Sequence, residues 1–476
     1  MQRDAIYATK DSVIIKDYER LLGLKHQIST LVFNDIDTDE EREQKFKIIQ
    51  DAQELEQSIA DRCLALNELT LSRSVTWKDV AKSLDKDEAA IEFIGYNDID
   101  SNNGGHYGAL ILRKGYKSPE FVSLITQNEF EQCTSSKRTS SKIENGINRI
   151  YTFPESGKEL YEKLWAPLEG YLKDVKRIYY APMGSLSTLA FSAIEDSTRT
   201  TLCQKYDLRL VSSTAQIVKR KKGTKKDDIR LTLIGDVSYD VDPDKAAQRR
   251  GSWRHLDNSI KEISYVDSLA SAQRQVISDT ITGVNASEER FRSLSGNSPD
   301  ILLLSTHGFY LDSHAASRHD FYLNKGQTTE ENPNEGITPL LRGGIVLSDA
   351  NTVWNNEGYR KDDTDGILTG EEIASLNLSN TKLLVLAACE TGLGEPTITE
   401  GINGLQRGFK ISGVDSMIMS LWVVNDVAGA DFIKRFYERL LVNREDRHTA
   451  FRNTQLEMME RYPRKPYFWA PFVMLD

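Results

Sequence analysis

The spacing of apolar positions changes along the chain, and each spacing predicts a different kind of element. Between residues 15 and 70, apolar residues recur at helical intervals on two segments separated by the acidic stretch NDIDTDEE. This pattern predicts an N-terminal pair of amphipathic helices. From residue 77 the apolar runs become short and are separated by Gly, Asn and Asp. These runs predict strands at 89–96, 107–114, 121–125 and 177–182.

After residue 228, buried-type strands alternate with helical faces. Continuous apolar runs predict strands at 231–236, 301–308, 343–351, 383–392 and 416–422. A helical face carrying Ile263 and Val266 lies between the first two strands, and another carrying Phe432 follows the last. Strands that alternate with helices indicate a doubly wound α/β sandwich, whose sheet is mostly parallel.

Two of these runs, ILLLSTHG and LLVLAACETG, end in a small turn that carries a reactive side chain. The carboxyl ends of parallel strands meet at one edge of a sheet, so His307 and Cys389 are expected to meet there. An imidazole is the usual base that activates a thiol. We therefore predict a Cys–His dyad, and Gly308 beside it leaves a backbone amide that can take part in an oxyanion hole. The alternative is that the two side chains are unrelated residues at the edge of the core.

Composition and charge disfavour several further classes of function. The 476 residues carry a net charge of −11, which disfavours nucleic acid as a partner. The four cysteines are far apart in sequence and suggest neither disulfides nor a zinc site. No apolar run is long enough to span a membrane, and no signal-peptide core begins the chain. We expect a cytoplasmic protein without membrane association, and the predicted chemistry needs no cofactor or metal.

Two further stretches invite a functional interpretation. Ser187, in GSLSTLAF, could be a serine nucleophile of an acyl hydrolase, but the stretch lacks the glycine of a nucleophile elbow. A structural turn is the better explanation. The basic run KRKKGTKK at 219–226 is interpreted as a linker at a domain boundary, with polyanion binding as the alternative.

From about residue 178 to its end, the chain resembles the CHAT domain, a family of caspase-like cysteine peptidases related to separase. The resemblance is carried by the ordered blocks YAPMGSLSTLAFSAI, LIGDVSY, DILLLSTHG, GGIVLSDAN, LLVLAACETGLGE, EGINGLQRGFKISGV, MIMSLWVVND and KPYFWAPFVML. It implies that His307 is the catalytic base, that Cys389 is the nucleophile and that the amides of Gly308 and Cys389 form the oxyanion hole. One departure is HLDNSIKE at 255–262, where only Glu262 fits the family's LPGT-like turn and following glutamate.

The resemblance also implies a division of the chain and an activity. We expect an N-terminal helical segment at 1–75, a pseudo-caspase half at 76–222 and an active caspase-like half at 223–476. The expected activity is that of a cysteine endopeptidase that cleaves protein substrates and is regulated by a protein partner. A non-proteolytic interaction scaffold with the same fold is the alternative.

Asp426 follows the strand at 416–422 and is the candidate specificity residue. If the sheet is parallel there, its carboxylate lies on the same edge as Cys389 and favours a basic residue before the scissile bond. The matching position in separase-like relatives is associated with an acidic pocket for a basic residue. We therefore predict cleavage after Arg or Lys. The alternative is that Asp426 only caps the helix that begins near Ala428.

Overall fold

The strands and helices follow the order predicted from the sequence, with several additions. The computed structural model describes residues 6, 11–33, 47–48, 50–52, 54–55, 58–59, 75–96, 105–134, 154–219, 228–240, 253–310, 340–341, 343–354, 364–387, 398–422 and 424–476. The strands are β1 Glu88–Tyr96, β2 His106–Arg113, β3 Glu120–Thr126, β4 Arg177–Ala181, β5 Asp207–Leu210, β6 Ile229–Val237, β7 Val276–Gly283, β8 Ile301–Ser305, β9 Gly308–Tyr310, β10 Gly343–Val346, β11 Ile367–Thr369, β12 Leu383–Leu386, β13 Ser416–Ser420 and β14 Phe472–Leu475. The α-helices are α1 Ser12–Phe33, α2 Trp77–Ser83, α3 Gln127–Thr134, α4 Pro154–Leu160, α5 Leu202–Lys205, α6 Ser259–Ser271, α7 Glu288–Arg292, α8 Ala350–Trp354, α9 Gly370–Ser375, α10 Ile398–Ile411, α11 Asp426–Tyr437 and α12 Arg447–Arg461.

The chain forms two compact units, and neither is continuous in sequence. The first unit comprises 1–74 and 228–415, and the second comprises 75–227 and 416–476. The breaks near 75 and 227 lie close to the expected divisions at 75 and 222, but the last 61 residues group with the second unit. The expected domain division itself stays a prediction.

In the first unit, four parallel strands run in the order β12-β8-β6-β7. Helix α6 packs on three of them, β6, β7 and β8, through the buried side chains of Ile263 and Val266. A small antiparallel sheet, β11-β10-β9, lies beyond the end of β8. Helix α1 joins an apolar cluster of the same unit that includes Ile28 and Leu341. Only isolated helical residues between 47 and 59 of the second N-terminal helix are described.

In the second unit the strands run in the order β3-β2-β1-β4-β5-β14-β13. The pairs β1–β4, β4–β5 and β5–β14 are parallel, whereas β1–β2, β2–β3 and β13–β14 are antiparallel. The predicted α/β class with a mostly parallel sheet and flanking helices is confirmed. Among the described residues, no helix combines the length and the apolar character that a membrane crossing requires.

A buried ionic cluster ties α7 to α9 in the first unit. The Nη2 of Arg292 lies 2.6 Å from Oε1 of Glu288 and 3.0 Å from Oε1 of Glu372. Glu288 is only 1% exposed, and its other oxygen accepts hydrogen bonds from the amides of Asp365 and Gly366. Two buried carboxyl groups therefore share the guanidinium of Arg292, whose own side chain is 32% exposed.

Removing Arg292 should destabilise the protein strongly. In an Arg292→Met variant, Glu288 and Glu372 lose the donor that they share, and we expect the free energy of unfolding to fall by about 2 kcal/mol or more. Arg290→Met is the matched control on the same helix. Arg290 and its partner Asp279 are both about half exposed, so their pair contributes less than about 1 kcal/mol. Urea unfolding of both variants measures the difference, and equal losses would contradict this role for Arg292.

Candidate active site

The two strands that precede His307 and Cys389 are adjacent and parallel, as predicted. Leu304 of β8 pairs with Leu386 of β12, and the amide of Ala387 donates to the carbonyl of Leu304 at 2.9 Å. The register offset is 82 positions (386 − 304), which is also the separation of His307 and Cys389 (389 − 307). Cys389 itself lies outside the described residues.

His307 follows β8 and is held inside the first unit. Its side chain is only 3% exposed, and its Nε2 lies 2.7 Å from the carbonyl oxygen of Arg254. A carbonyl oxygen can only accept a hydrogen bond, so Nε2 carries the ring proton in this arrangement. In the neutral imidazole, Nδ1 is then the nitrogen that can take up a proton.

Aromatic side chains fix the plane of this imidazole. The ring centroids of Tyr239 and Trp253 lie 5.0 Å and 5.1 Å from that of His307. The Tyr239 hydroxyl also accepts from the amide of His307 at 3.3 Å and lies 2.9 Å from the hydroxyl of Thr306. Thr306 in turn donates to the carbonyl of Val346. His307 therefore has a defined orientation, which a general base requires.

The amide of Gly308 points away from its neighbouring strand. Gly308 pairs with Ile345 of β10, while the preceding carbonyl, that of His307, accepts from the amide of Val346 at 2.9 Å. Hydrogen-bonded and non-bonded pairs alternate in an antiparallel ladder, so the pair of Gly308 and Ile345 is a non-bonded one. The N–H of Gly308 is thus directed to the side opposite β10, next to His307.

The stretch HLDNSIKE forms the start of α6 and packs directly under β8. The hydroxyl of Ser259 donates to the carbonyl of Ser305 at 2.8 Å and accepts from the amide of Asp236 at 2.8 Å. A Cβ on Gly235 would lie 2.6 Å from the Ser259 Oγ, so only glycine permits this approach. Glu262, one turn further on, accepts from the hydroxyl of Ser305 at 2.7 Å. Despite the departure from the family's turn, Glu262 thus contacts Ser305, which lies two residues before His307 in sequence.

The setting of Glu262 should make the protein less stable as the pH rises towards neutrality. Burial of its carboxyl raises the pKa to about 7, although the hydrogen bond from Ser305 opposes the rise. The folded state therefore holds a proton that the unfolded state releases near pH 4.5. The resulting stabilisation is complete below pH 4.5 and is lost as the pH rises to 7, by at most about 3 kcal/mol.

A Glu262→Gln variant should lack this loss. The amide keeps an acceptor for Ser305 but does not ionise. The unfolding free energy of the variant, relative to that of the unchanged protein, should therefore rise between pH 4.5 and 7. Urea unfolding at intervals of half a pH unit measures the difference. Parallel curves for the two proteins would show that Glu262 ionises normally in the folded state.

Asp426 is not the cap of its helix. Helix α11 begins at Asp426, and the preceding residue, Asn425, accepts from the amides of Val427 and Ala428 with its side chain. The capping alternative for Asp426 is therefore wrong, because Asn425 performs that role. Both Asn425 and Val427 are exposed, so this helix start faces solvent. The side chain of Asp426 lies outside what the structure describes.

Ser187 lies on a short 3₁₀ turn, Gly184–Thr188, and its hydroxyl lies 3.5 Å from the carbonyl of Pro182. This setting fits a structural turn rather than a nucleophile elbow. Sequence reasoning missed the residues that hold His307, namely Tyr239, Trp253 and the carbonyl of Arg254. Of these only Trp253 carried a signal, since a lone tryptophan in a polar stretch suggests an anchored loop.

Several solved structures are similar to this chain at low sequence identity. Solved structures that resemble the chain include the Saccharomyces cerevisiae separase–securin complex, at 10% identity and a TM-score of 0.43, covering 84% of this chain and 30% of that one. The Arg-specific cysteine proteinase gingipain R matches at 11% identity and a TM-score of 0.35, covering 72% and 69% of the two chains. The RgpB pro- and mature domains of Porphyromonas gingivalis match at 11% identity and a TM-score of 0.34, covering 74% and 77%.

These similarities are distant. No curated protein sequence matches the chain. The model of the CHAT domain, by contrast, matches residues 154–475, about two thirds of the sequence, and this stretch contains His307, Gly308, Cys389 and Asp426. The chain belongs to the CHAT domain family.

Proposed function

We propose that this protein is a cysteine endopeptidase in which Cys389 is the nucleophile and His307 the base. The observation that carries the proposal is the setting of His307. It is a buried imidazole fixed through Nε2 by the carbonyl of Arg254, at the end of a strand in register with the one that leads to Cys389. A fixed imidazole of this kind is what a general base requires.

The chemistry follows from the protonation of His307. Its Nδ1 takes the proton of the Cys389 thiol, and the sulfur attacks the scissile carbonyl to form an acyl-enzyme. His307 then gives that proton to the leaving amine and activates the water that releases the acid product. The carbonyl of Arg254 keeps the same nitrogen facing the thiol throughout, because it accepts from Nε2–H in both protonation states.

The amide of Gly308 is suited to stabilise the oxyanion. It points away from β10 and follows His307 directly, so its N–H is not used by the small sheet. The amide of Cys389 is the second proposed donor. A backbone donor needs no side-chain reorganisation when charge develops on the carbonyl oxygen, which is the advantage of such a site.

The proposed substrates carry Arg or Lys before the scissile bond, recognised by Asp426. Asn425 already caps α11, and the helix start is exposed, so the Asp426 carboxylate is not needed for capping. Arginine should be preferred to lysine, since its planar guanidinium can bind a carboxylate through two hydrogen bonds.

Regulation by a protein partner is supported by the attachment of the N-terminal helix. Lys25 of α1 lies 2.6 Å from the carboxylate of Glu371 on α9, and both side chains are mostly buried. Helix α9 crosses α10 closely at Gly370 and Gly408, and α10 follows the segment that contains Cys389. A partner that moves α1 would therefore act, through α9, on α10, the helix that follows Cys389 in sequence.

The proposal is tested by incubating the purified protein with a peptide library and identifying the cleaved bonds by mass spectrometry. We expect new ends in peptides treated with the unchanged protein and none with the Cys389→Ala variant. Cleavage that persists in the variant would come from a contaminating protease. If the protein binds partners but cleaves no peptide, whether or not those partners are present, the interaction scaffold is favoured instead.

A further inference from the structure

A three-residue strap, residues 253–255, supplies the carbonyl that orients His307. At one end of the strap, the amide of Trp253 donates to Oδ1 of Asn351 at 2.8 Å, and Nδ2 of Asn351 donates to the carbonyl of Trp253 at 2.9 Å. Asn351 is completely buried. This end is therefore fixed to the first unit by a pair of reciprocal hydrogen bonds.

The other end of the strap is fixed by a side-chain pair at the surface. Nε2 of His255 lies 2.8 Å from Oδ1 of Asp236. Asp236 follows Gly235 near the end of β6 and has a φ of +52°, a conformation that only a few residue types adopt readily. Its amide donates to Ser259, so the backbone that presents this carboxylate is itself fixed.

Between the two ends lies Arg254, whose side chain is exposed and whose carbonyl accepts from His307 at 2.7 Å. The imidazole of His255 is half exposed, so it fills no space in the core. Its position matters because the peptide group that precedes it carries the Arg254 carbonyl that contacts His307. This inference rests on the proposed function of His307.

We propose that Asp236 and His255 form a clasp that positions His307 through the carbonyl of Arg254. They are positioning residues and touch neither the thiol nor the substrate. Burial of His255 opposes its charge, but the hydrogen bonds that its ring donates to the carboxylates of Asp236 and Asp257 outweigh that effect and raise its pKa, which strengthens the pair. The contact with Asp257 is longer, at 3.2 Å, and that carboxylate is 91% exposed, so it contributes little.

A positioning role and a merely structural one predict different results. An exposed ion pair contributes little to stability, so loss of the clasp should leave the melting temperature nearly unchanged. A small displacement of a general base, in contrast, slows the chemical step markedly. In His255→Ala we expect kcat to fall about tenfold with KM unchanged within about twofold.

The test compares three variants of the full chain, each normalised to the fraction of enzyme that a thiol-directed electrophile titrates. His255→Gln places an amide N–H near the position of Nε2 and should restore most of the kcat lost in His255→Ala. Asp257→Ala removes the carboxylate from the other ring nitrogen and should leave kcat within about twofold.

The outcomes separate the clasp from the proposed function. If Cys389→Ala is inactive but His255→Ala matches the unchanged protein, the clasp is refuted and the dyad stands. An equal loss in Asp257→Ala, or no rescue by His255→Gln, also refutes the clasp. If Cys389→Ala retains activity, the proposed function is refuted, and the clasp that rests on it is refuted too.

Discussion

Peptide cleavage should disappear in a Cys389→Ala variant, with kcat lowered at least about a thousandfold, because no other group replaces the thiolate as nucleophile. The fold should persist, since exchanging a single thiol for a hydrogen should change the unfolding free energy by about 1 kcal/mol or less. Initial rates on a cleavable peptide, together with thermal melting, measure both quantities.

His307 should be nearly as important as Cys389. Because the ring is buried between Tyr239 and Trp253, His307→Ala would leave a cavity, and His307→Gln is the better variant. Glutamine offers an N–H to the carbonyl of Arg254 but has no basic nitrogen. We expect its activity to approach that of Cys389→Ala, and the double variant to lose no more than either single one. A His307→Gln enzyme that keeps more than a few per cent of the original turnover would rule out the dyad.

Asp426→Asn should lower cleavage after arginine by a hundredfold or more. The variant removes the carboxylate that would bind the guanidinium of the substrate through two charge-assisted hydrogen bonds. The melting temperature should change little, because Asn425 rather than Asp426 caps α11. Cleavage rates on peptides that differ only in Arg, Lys or Leu before the scissile bond give the answer.

Asn425→Ala is the matched control for this prediction. It removes the cap and should lower the unfolding free energy by about 1 kcal/mol, while arginine cleavage is maintained. If both variants lose stability and neither loses arginine cleavage, Asp426 is a structural residue. A library profile dominated by apolar residues before the cleaved bond would also remove the basic specificity, while leaving the dyad intact.

The sequence predicted the central strands because their signal is strong. β12 and the first four residues of β8 are continuous runs of Leu, Ile and Val, and buried parallel strands have this composition. β7 escaped prediction because it borders the sheet and Ile277, Asp279 and Thr280 are exposed, so its sequence VISDTITG resembles a loop. The start of α9 was also missed, although Thr369 and Glu372 form a capping box that the sequence displays.

The candidate site was predictable only in part, for a physical reason. His307 and Gly308 stood out because reactive and small residues at a strand end have few structural explanations. The carbonyl of Arg254 left no trace in the sequence, since every residue has one. The reciprocal bonds of Asn351 and Trp253 join positions 98 apart, and spacing alone cannot reveal such a pair.

The most direct test of the dyad is covalent labelling followed by mass spectrometry. The protein is treated with thiol-directed peptidyl electrophiles that carry arginine or leucine before the reactive group, and the modified residue is identified after digestion. The half-buried thiol of Cys133 serves as an internal control for unselective reaction. We expect an adduct on Cys389 that forms at least about a hundredfold more slowly in His307→Gln, because the thiolate then lacks its base. Labelling of Cys389 at the same rate in both proteins, or labelling of Cys133 in preference to Cys389, would contradict a Cys–His dyad.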